Sequence, residues 1–277
     1  MGDLAERLEA LRQDRLSGAA ELLRKVAATL EWAAEQPGFC ETVLTRVGQG
    51  LIDAQPAMAP IVNLVSAVLQ AGPARVAETC RDFLARNEQA AQAVAMEAAG
   101  LIRDGMVVMT HSRSSAVLRA LLTAREQGRS FQVICTESRP LCEGVTLART
   151  LAGAGIPVRL IVDAAAGAML SQTDLVLVGA DAISPRGLLN KIGTGSLALA
   201  AKTLGVPCYA LASFDKFFPE DYRAPEQELR DPAEILAERM EGVTPLNYYF
   251  DLTPLQYLTG VLTAGCTSSS CSAACRG

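Results

Sequence analysis

The sequence has little of three things: excess positive charge, long apolar runs and histidine. Its 25 lysines and arginines are outnumbered by 30 acidic residues, which gives a net charge of −5. Direct nucleic-acid binding needs a basic patch that neutralises phosphates, so we do not expect it. No run resembles a membrane-spanning helix, and the first residues lack the basic and apolar parts of a signal peptide. We therefore expect a cytoplasmic protein with no membrane partner.

The shortage of histidine argues against a zinc site. His111 is the only histidine in the chain. The three C-terminal cysteines, Cys266, Cys271 and Cys275, have none of the usual zinc-pair spacings and no histidine nearby. We predict no metal and no cofactor, and we expect residues 266–277 to form a flexible Cys/Ser-rich tail. The cysteines that lie in or beside apolar runs, which we predict to be buried thiols, are Cys40, Cys80, Cys135 and Cys208.

The periodicity of apolar residues changes near residue 104. Before it, apolar positions recur at helical spacing in three blocks, at about 3–34, 39–70 and 74–103. After it, short β-branched runs alternate with helical patterns, which is typical of a parallel sheet buried on both faces. We predict an α/β protein: a helical N-terminal domain over residues 1–104, then a Rossmann-like domain over residues 105–265. The predicted strands are 106–110, 131–135, 158–163, 175–179 and 208–212.

Local signals refine these limits. Ser17 is predicted to cap a helix that restarts after a break at residues 14–19. The segment 220–241 is predicted to be a solvated loop and a surface helix. Leu252-Thr253-Pro254 is predicted to begin a last helix that runs to about residue 263, with Asp251 as its cap or as a dimer-interface residue.

Four polar signatures follow or adjoin the apolar runs of the second domain. Ligands bind beyond the carboxyl ends of the strands in such sheets, so we expect these signatures to converge on one crevice. They are Thr110-His111-Ser112-Arg113-Ser114-Ser115, Thr136-Glu137-Ser138-Arg139-Pro140, Gly179-Ala180-Asp181 and Asn190-Lys191-Ile192-Gly193-Thr194.

The residue types in this crevice favour a phosphate ligand. Ser114 and Ser115 open one predicted helix and Gly193-Thr194 opens another, and amides at helix N-termini hold anions. Arginine offers a two-pronged match to phosphate, whereas lysine acts as a point charge. Each cation alone is typical of an ordinary surface; together they indicate a phosphate site. The other predicted members of the ligand site are His111, Arg113, Glu137, Arg139, Asn190 and Lys191.

These motifs, in this order, resemble the alpha, beta and delta subunits of translation initiation factor 2B and two related isomerases. Those isomerases act on methylthioribose 1-phosphate and ribose 1,5-bisphosphate. The resemblance covers nearly the whole chain and implies a homodimer or higher homo-oligomer. Further matching segments are Ser17-Gly18-Ala19, Asn63, Asp163-Ala164-Ala165, Lys216-Phe217 and Phe250-Asp251-Leu252-Thr253-Pro254.

The resemblance implies a catalytic pair but also an exception to it. The isomerases use the aspartate that matches Asp181 and a cysteine where this chain has Ser112. A thiol is easily activated, whereas a serine hydroxyl needs an adjacent base. Adjacent residues at a strand end point to opposite sides, which disfavours a dyad of Ser112 with His111. Cys142 is a weaker candidate to replace the missing thiol.

Two functions therefore stay open. The first, which these departures favour, is a regulatory protein that binds a phosphorylated sugar or a nucleotide monophosphate. Two more departures favour it, because the resemblance implies arginines where this chain has Ser17 and Gln55. The alternative is an aldose-1-phosphate to ketose-1-phosphate isomerase that uses Asp181 and Ser112, favoured by the retained Asp181, Asn190 and Lys191. Participation in translation initiation rests on the family resemblance alone.

Overall fold

The computed structural model describes residues 2–14, 17–219, 222, 229–263 and 266–267. The chain divides into two compact units. The first contains residues 1–90, 181–184 and 214–224, and the second contains residues 91–180, 185–213 and 225–277. The sequence placed the domain limit near residue 104, and helix α5 (Val76–Leu101) ends shortly before that point.

The apolar periodicity of the N-terminal region produces helices that break where the sequence carries proline or a turn. Helix α4 has Pro60 in its first turn, where a missing backbone N–H leaves no helical hydrogen bond unmade. The apolar faces of these helices pack into a core, in which Leu22, Leu30 and Leu51 are fully buried. The helices that precede α5 are α1 (Gly2–Gln13), α2 (Ala19–Ala34), α3 (Glu41–Ala54) and α4 (Ala59–Ala71).

The prediction that Ser17 caps α2 is wrong, because Gly18 is the N-cap residue. The amide of Ser17 donates to the Asp14 carboxylate at 2.9 Å. Its hydroxyl accepts a hydrogen bond from Lys25 Nζ at 2.9 Å. The serine is thus committed to a turn that leads into the helix, and its side chain does not reach the helix amides.

Two short segments from later in the chain belong to the first unit. The strand β5 (Ala182–Ser184) makes a parallel bridge from Ile183 to Phe217. Asn63 on α4 donates to the carbonyl oxygens of Asp215 and Phe217, each at 2.8 Å. One amide side chain therefore fixes the backbone of a segment about 150 residues away.

The second unit is built on a sheet with the order β10-β9-β7-β4-β1-β2-β3. All adjacent pairs from β9 to β3 are parallel, and β10 is antiparallel to β9. This confirms the predicted fold class. The strands are β1 (Val107–His111), β2 (Gln132–Thr136), β3 (Val158–Ile161), β4 (Leu175–Val178), β7 (Cys208–Leu211), β9 (Gly260–Thr263) and β10 (Cys266–Thr267).

Helices alternate with the strands, as the sequence pattern predicted, and together they bury one large apolar cluster. Side chains from the end of α5, from α6 and from α7 join residues of β1, β2 and β4 in this core. The outer strand β3 departs from the prediction of burial on both faces: it is the edge strand, and Leu160 is 47% exposed. The helices are α6 (Ser115–Glu126), α7 (Glu143–Gly153), α8 (Ala166–Met169) and α9 (Thr194–Leu204).

The predicted last helix is wrong. Residues 250–253 form β8 (Phe250–Thr253), a single 3-10 turn follows, and residues 260–263 form β9. The β-branched residues Val261 and Thr263 favour extended backbone, and pairing with β7 extends the parallel sheet. Strand β8 pairs antiparallel with β6 (Gly187–Lys191), a strand that the sequence did not predict.

Of the other local predictions, some are confirmed and some are wrong. Within 220–241, the described residues contain a 3-10 turn at Pro232–Glu234 in place of the predicted surface helix. Cys80, Cys135 and Cys208 are buried as predicted, but Cys40 is exposed because it caps α3 at the surface. The tail prediction lies mostly outside the described residues. In the part of the chain that the structure describes, none of the helices is long and apolar enough to span a membrane.

Candidate functional site

The strand order shows where a ligand crevice is expected in a parallel sheet of this kind. The chain runs outward from β1 to β3 and then returns to place β4 on the other side of β1, which makes a switch point between β1 and β4. The residues that follow these strands approach closely there. A Cβ at Gly179 would lie 2.6 Å from Ser114 Oγ, so glycine is required for the backbone after β4 to pass the start of α6.

Ser112, just past the end of β1, has a strained backbone and two specific partners. Its φ of 67° lies in the left-handed region, which residues with a side chain rarely adopt. Its amide donates to Ser138 Oγ at 2.8 Å, and its hydroxyl donates to Glu143 Oε1 at 2.9 Å. Ser138 and Cys142 also have positive φ. Strained residues of this kind cluster at functional sites, which supports the prediction that Ser112 matters.

Glu143 is one residue of the candidate site that sequence reasoning missed. It begins α7, and its Oε1 also accepts an ion-pair contact from Lys191 Nζ at 2.8 Å. Its Oε2 is buried without a hydrogen-bond partner among the described residues. The next residue must be glycine, because a Cβ at Gly144 would lie 1.9 Å from the Thr136 carbonyl oxygen. This close approach of α7 to the end of β2 holds the carboxylate beside Ser112.

Lys191, predicted as a cation of the phosphate site, is buried and already paired with a carboxylate of the chain. Its residue exposure is 4%, and besides Glu143 its ammonium lies 5.2 Å from the centre of the Tyr249 ring. Asn190 Nδ2 donates to Thr194 Oγ1 at 3.0 Å, and that hydroxyl donates to the Lys191 carbonyl at 2.6 Å. These three predicted ligand residues therefore have protein partners already.

Tyr249 connects Lys191 to a second polar group. Its ring carries the Arg230 guanidinium 5.4 Å from its centre, as well as Lys191. Its hydroxyl donates to the Glu234 carboxylate at 2.5 Å, which also accepts from Asn247 Nδ2 at 2.7 Å. Sequence reasoning missed Tyr249 because it lies in the apolar stretch Tyr248–Leu262, which is typical of core packing.

The N-terminus of α9, predicted as a phosphate cradle, is filled by a carboxylate of the chain. Asp251 on β8 accepts from the amides of Gly193 at 2.8 Å and Gly195 at 3.0 Å. The negative charge sits where the helix dipole favours it. Asp251 is indeed a helix cap, but of α9 and not of a helix that begins at its own position.

His111 holds strands and loops together. Its Nε2 lies 2.8 Å from the Ile192 carbonyl oxygen, which can only accept, so Nε2 carries the proton. Nδ1 then accepts from Thr136 Oγ1 at 2.7 Å. Burial lowers the pKa of this imidazole. Both ring nitrogens are satisfied, and the hydroxyl of Ser112 is directed to Glu143 instead of His111.

The remaining predicted residues keep more accessible positions. Arg113, Ser115 and Arg139 are exposed, Glu137 is half-buried, and Ser114 caps α6 by accepting from the Val117 amide at 3.4 Å. Arg139 also donates to the Glu234 carbonyl at 3.0 Å. Because Arg113 and Ser115 adjoin the first turn of α6, this end of the crevice keeps exposed groups suited to an anion.

Asp181 and Cys142 are the two predicted residues that remain to be placed. Asp181 is half-buried and belongs to the segment 181–184 of the first unit. Cys142 is half-buried, and its thiol lies 3.8 Å from the Pro140 carbonyl oxygen. This contact lies within its own loop. The roles of Asp181 and Cys142 stay predictions.

In the first unit, the positions where the resemblance implies arginines serve the fold. Gln55 is buried and its Nε2 donates to the Leu11 carbonyl at 2.6 Å. Ser17, as described above, binds Lys25. Both side chains tie helices α1, α2 and α3 together.

Comparison with known proteins gives a consistent result. A model of the initiation factor 2 subunit family matches residues 13–266. Ribose 1,5-bisphosphate isomerase from Methanocaldococcus jannaschii is 33% identical over 278 residues, which cover 95% of this chain and 90% of that protein. A Pyrococcus horikoshii protein, named as eIF-2B subunit 2-like, is 34% identical over 265 residues and 93% of each chain.

Solved structures share the fold. The structure of the Pyrococcus horikoshii translation initiation factor eIF-2B is similar at a TM-score of 0.86 and 32% identity, over 95% of this chain and 96% of that one. A 5-methylthioribose 1-phosphate isomerase from Pyrococcus horikoshii matches 94% of this chain and 83% of its own at a TM-score of 0.71 and 22% identity. The same fold thus occurs in proteins named as factors and as isomerases.

Proposed function

We propose that this chain, which belongs to the initiation factor 2 subunit family, is a sugar-phosphate isomerase that converts an aldose 1-phosphate to a ketose 1-phosphate. Ribose 1,5-bisphosphate is the first substrate to test. The motifs alone favoured a regulatory binding protein. The extent of the similarity to ribose 1,5-bisphosphate isomerase supports the alternative at least as well.

The observation that carries the proposal is the hydrogen bond from the Ser112 hydroxyl to Glu143. A serine in place of the relatives' cysteine weakens the isomerase hypothesis only if it has no base beside it. Here a carboxylate lies 2.9 Å from the hydroxyl oxygen, at the switch point of the sheet. A serine supported in this way can exchange a proton with a bound sugar.

The phosphate fits best at the start of α6. The amides of its first turn, the hydroxyls of Ser114 and Ser115 and the exposed guanidinium of Arg113 combine a helix dipole with donors and positive charge. The resemblance assigns the other acid or base of the reaction to Asp181, which we retain as a proposed catalytic residue.

Purified protein incubated with ribose 1,5-bisphosphate and followed by ³¹P and ¹³C NMR tests this function. We expect the signals of the aldose to be replaced by those of the ketose, with a carbonyl resonance for C2. Ribose 1-phosphate, methylthioribose 1-phosphate and fructose 6-phosphate define the substrate range. An Asp181→Asn variant should lose turnover if this residue is the acid or base.

A binding-only function is the second candidate, and one observation favours it: Ser17 and Gln55 stand where the resemblance implies arginines, and both are committed to the fold. Calorimetry with the same sugars and with AMP distinguishes the two. Micromolar binding without conversion supports a regulatory sensor. Conversion supports the isomerase.

We extend the proposal to a cytoplasmic protein that forms a homodimer or larger homo-oligomer, as the resemblance implies. Sedimentation velocity over a range of protein concentrations tests the assembly. A single species of about 29 kDa, the mass of one chain, would contradict it.

A further inference from the structure

We propose that Glu143 positions Ser112 and takes its proton, so that a Ser112–Glu143 relay does in this chain what a thiol does in the related isomerases. The inference rests on the proposed isomerase function and deepens it. It assigns a role to a residue that no motif indicated, and it specifies which part of the substrate Ser112 faces.

The direction of the hydrogen bond carries the first step. Glu143 forms an ion pair with Lys191, and a carboxylate can only accept hydrogen bonds. The Ser112 hydroxyl must therefore donate its single hydrogen to Glu143 Oε1. Its lone pairs are left to face a ligand, so Ser112 presents an acceptor. A sugar hydroxyl is the group that such an acceptor binds.

The geometry around the carboxylate carries the second step. Glu143 cannot move away easily, because Gly144 lies against the Thr136 carbonyl and Lys191 holds the same oxygen that Ser112 contacts. Ser112 is fixed in turn by the bond from its amide to Ser138. The pair is preorganised at 2.9 Å before any ligand enters.

The third step is the unmet acceptor. Glu143 Oε2 is buried and has no hydrogen-bond partner among the described residues. Leaving a buried acceptor unsatisfied is costly, and each such group in a native structure calls for an explanation, of which a catalytic role is one. The role of this carboxylate in the relay, with the Ser112 proton arriving on Oε1, is such an explanation.

The relay accounts for every bond, electron pair and proton of the isomerisation. Ring opening breaks the C1–O4 bond, and its electron pair leaves with O4. Hydrogen moves with its electron pair from C2 to C1, and the C2 hydroxyl becomes a carbonyl. The proton released from that hydroxyl goes to Ser112 Oγ, whose own proton goes to Glu143. Asp181, the other proposed acid or base, protonates O4 as the C1–O4 bond breaks, and the proton held by Glu143 returns by way of Ser112 or water to Asp181, which restores all three residues.

The test compares Glu143→Gln in two backgrounds, natural Ser112 and Ser112→Cys, with ribose 1,5-bisphosphate as substrate. Glutamine is nearly isosteric and keeps an acceptor oxygen, but it does not take the proton. With Ser112 we expect kcat to fall by about 100-fold or more, with KM changed by less than about threefold. A thiol gives up its proton far more readily than a hydroxyl, so with Ser112→Cys we expect a loss below about tenfold.

Glu41→Gln is the matched control, since Glu41 also begins a helix but is exposed. It should leave kcat unchanged. If Glu143→Gln does not fold, as judged by circular dichroism, Glu143→Asp is compared in the same two backgrounds. Aspartate keeps the carboxylate but, being one methylene shorter, holds it farther from position 112. The loss of kcat should be larger with Ser112 than with Ser112→Cys.

The outcomes separate the relay from the function. Turnover that falls equally in both backgrounds shows that Glu143 only supports the fold of the site, and turnover unaffected by Glu143→Gln removes it altogether; either result overturns the relay alone. Absence of turnover in the natural protein and in Ser112→Cys overturns the isomerase function and the relay with it.

Discussion

Two helices of the second unit, α6 and α9, begin at the carboxyl edge of the sheet, and their first turns are satisfied differently. The amides of α9 are held by Asp251, and nearby Lys191 is neutralised by Glu143. Among the described residues, the side-chain cap at the start of α6 is its own Ser114, at 3.4 Å, and Arg113 beside it is exposed. The α9 side is thus completed by the chain itself, whereas the α6 side retains groups for a ligand. Substitutions should therefore cost stability on the α9 side and affinity on the α6 side.

The largest effect is expected from Lys191→Ala, which leaves the Glu143 carboxylate without its cation. Breaking a buried ion pair on one side is strongly destabilising, so we expect the free energy of unfolding to fall by about 3 kcal/mol. Urea denaturation measures it. Lys25→Ala removes the more exposed pair with Asp14 and should cost less than about 1 kcal/mol. Equal losses of unfolding free energy from the two variants would contradict the claim that the buried pair stabilises the fold more than the exposed one.

Arg113→Ala should act on binding. Loss of a charge-assisted contact to phosphate is expected to weaken ribose 1,5-bisphosphate by about 2 kcal/mol, which calorimetry measures, with the urea midpoint unchanged. Arg119→Ala, one turn and a half further along and inside α6, is the comparison. If Arg113→Ala binds the sugar as well as the natural protein does, the phosphate is not held at this helix start.

The two caps should differ in stability. Asp251→Ala removes an acceptor shared by two amides and should lower the free energy of unfolding by about 1–2 kcal/mol. Ser114→Ala removes one long hydrogen bond and should cost about 0.5 kcal/mol. Chemical denaturation of both variants provides the comparison, and a larger loss from Ser114→Ala would reverse our assignment of the two helix ends.

The smallest effect is a pH dependence that arises from His111. Burial lowers the pKa of this histidine in the folded state, so below the ordinary histidine pKa of about 6.5 the unfolded chain binds more protons. Stability should therefore fall as the pH is lowered from 7.5 to 5.5. His111 is the only histidine, so His111→Gln should flatten this dependence. A slope that persists in the variant would assign it to carboxyl groups.

The sequence predicted the elements that depend on local pattern. The limits of β1, β2, β4 and β7 lie within one residue of the predicted ones, because short β-branched runs bounded by turns are distinctive. The last helix was wrong because its apolar spacing suits a helix, while the strand β9 is stabilised by pairing with β7, about 50 residues earlier. Such pairing leaves no local signal.

In the candidate site, too, local features could be predicted from the sequence and tertiary contacts could not. The strand-end position of Ser112 and the helix starts at 115 and 194 follow from the alternation of elements. The partners of Ser112 and Lys191 do not, because Glu143 reaches both from a third element. The Glu143-Gly144 pair at the start of a helix, directly after a strand-end signature, is the one signal that could have indicated it. The burial of Lys191 beneath Tyr249 depends on tertiary packing, which no spacing in the sequence encodes.

The most direct test is the crystal structure of the Ser112→Ala variant with ribose 1,5-bisphosphate, which should bind the sugar without converting it. We expect a phosphate on the first-turn amides of α6 with Arg113 beside it, a sugar hydroxyl next to position 112, and Asp251 still bound to Gly193 and Gly195. A phosphate on the amides of Gly193 and Gly195, with Asp251 displaced, would contradict the account.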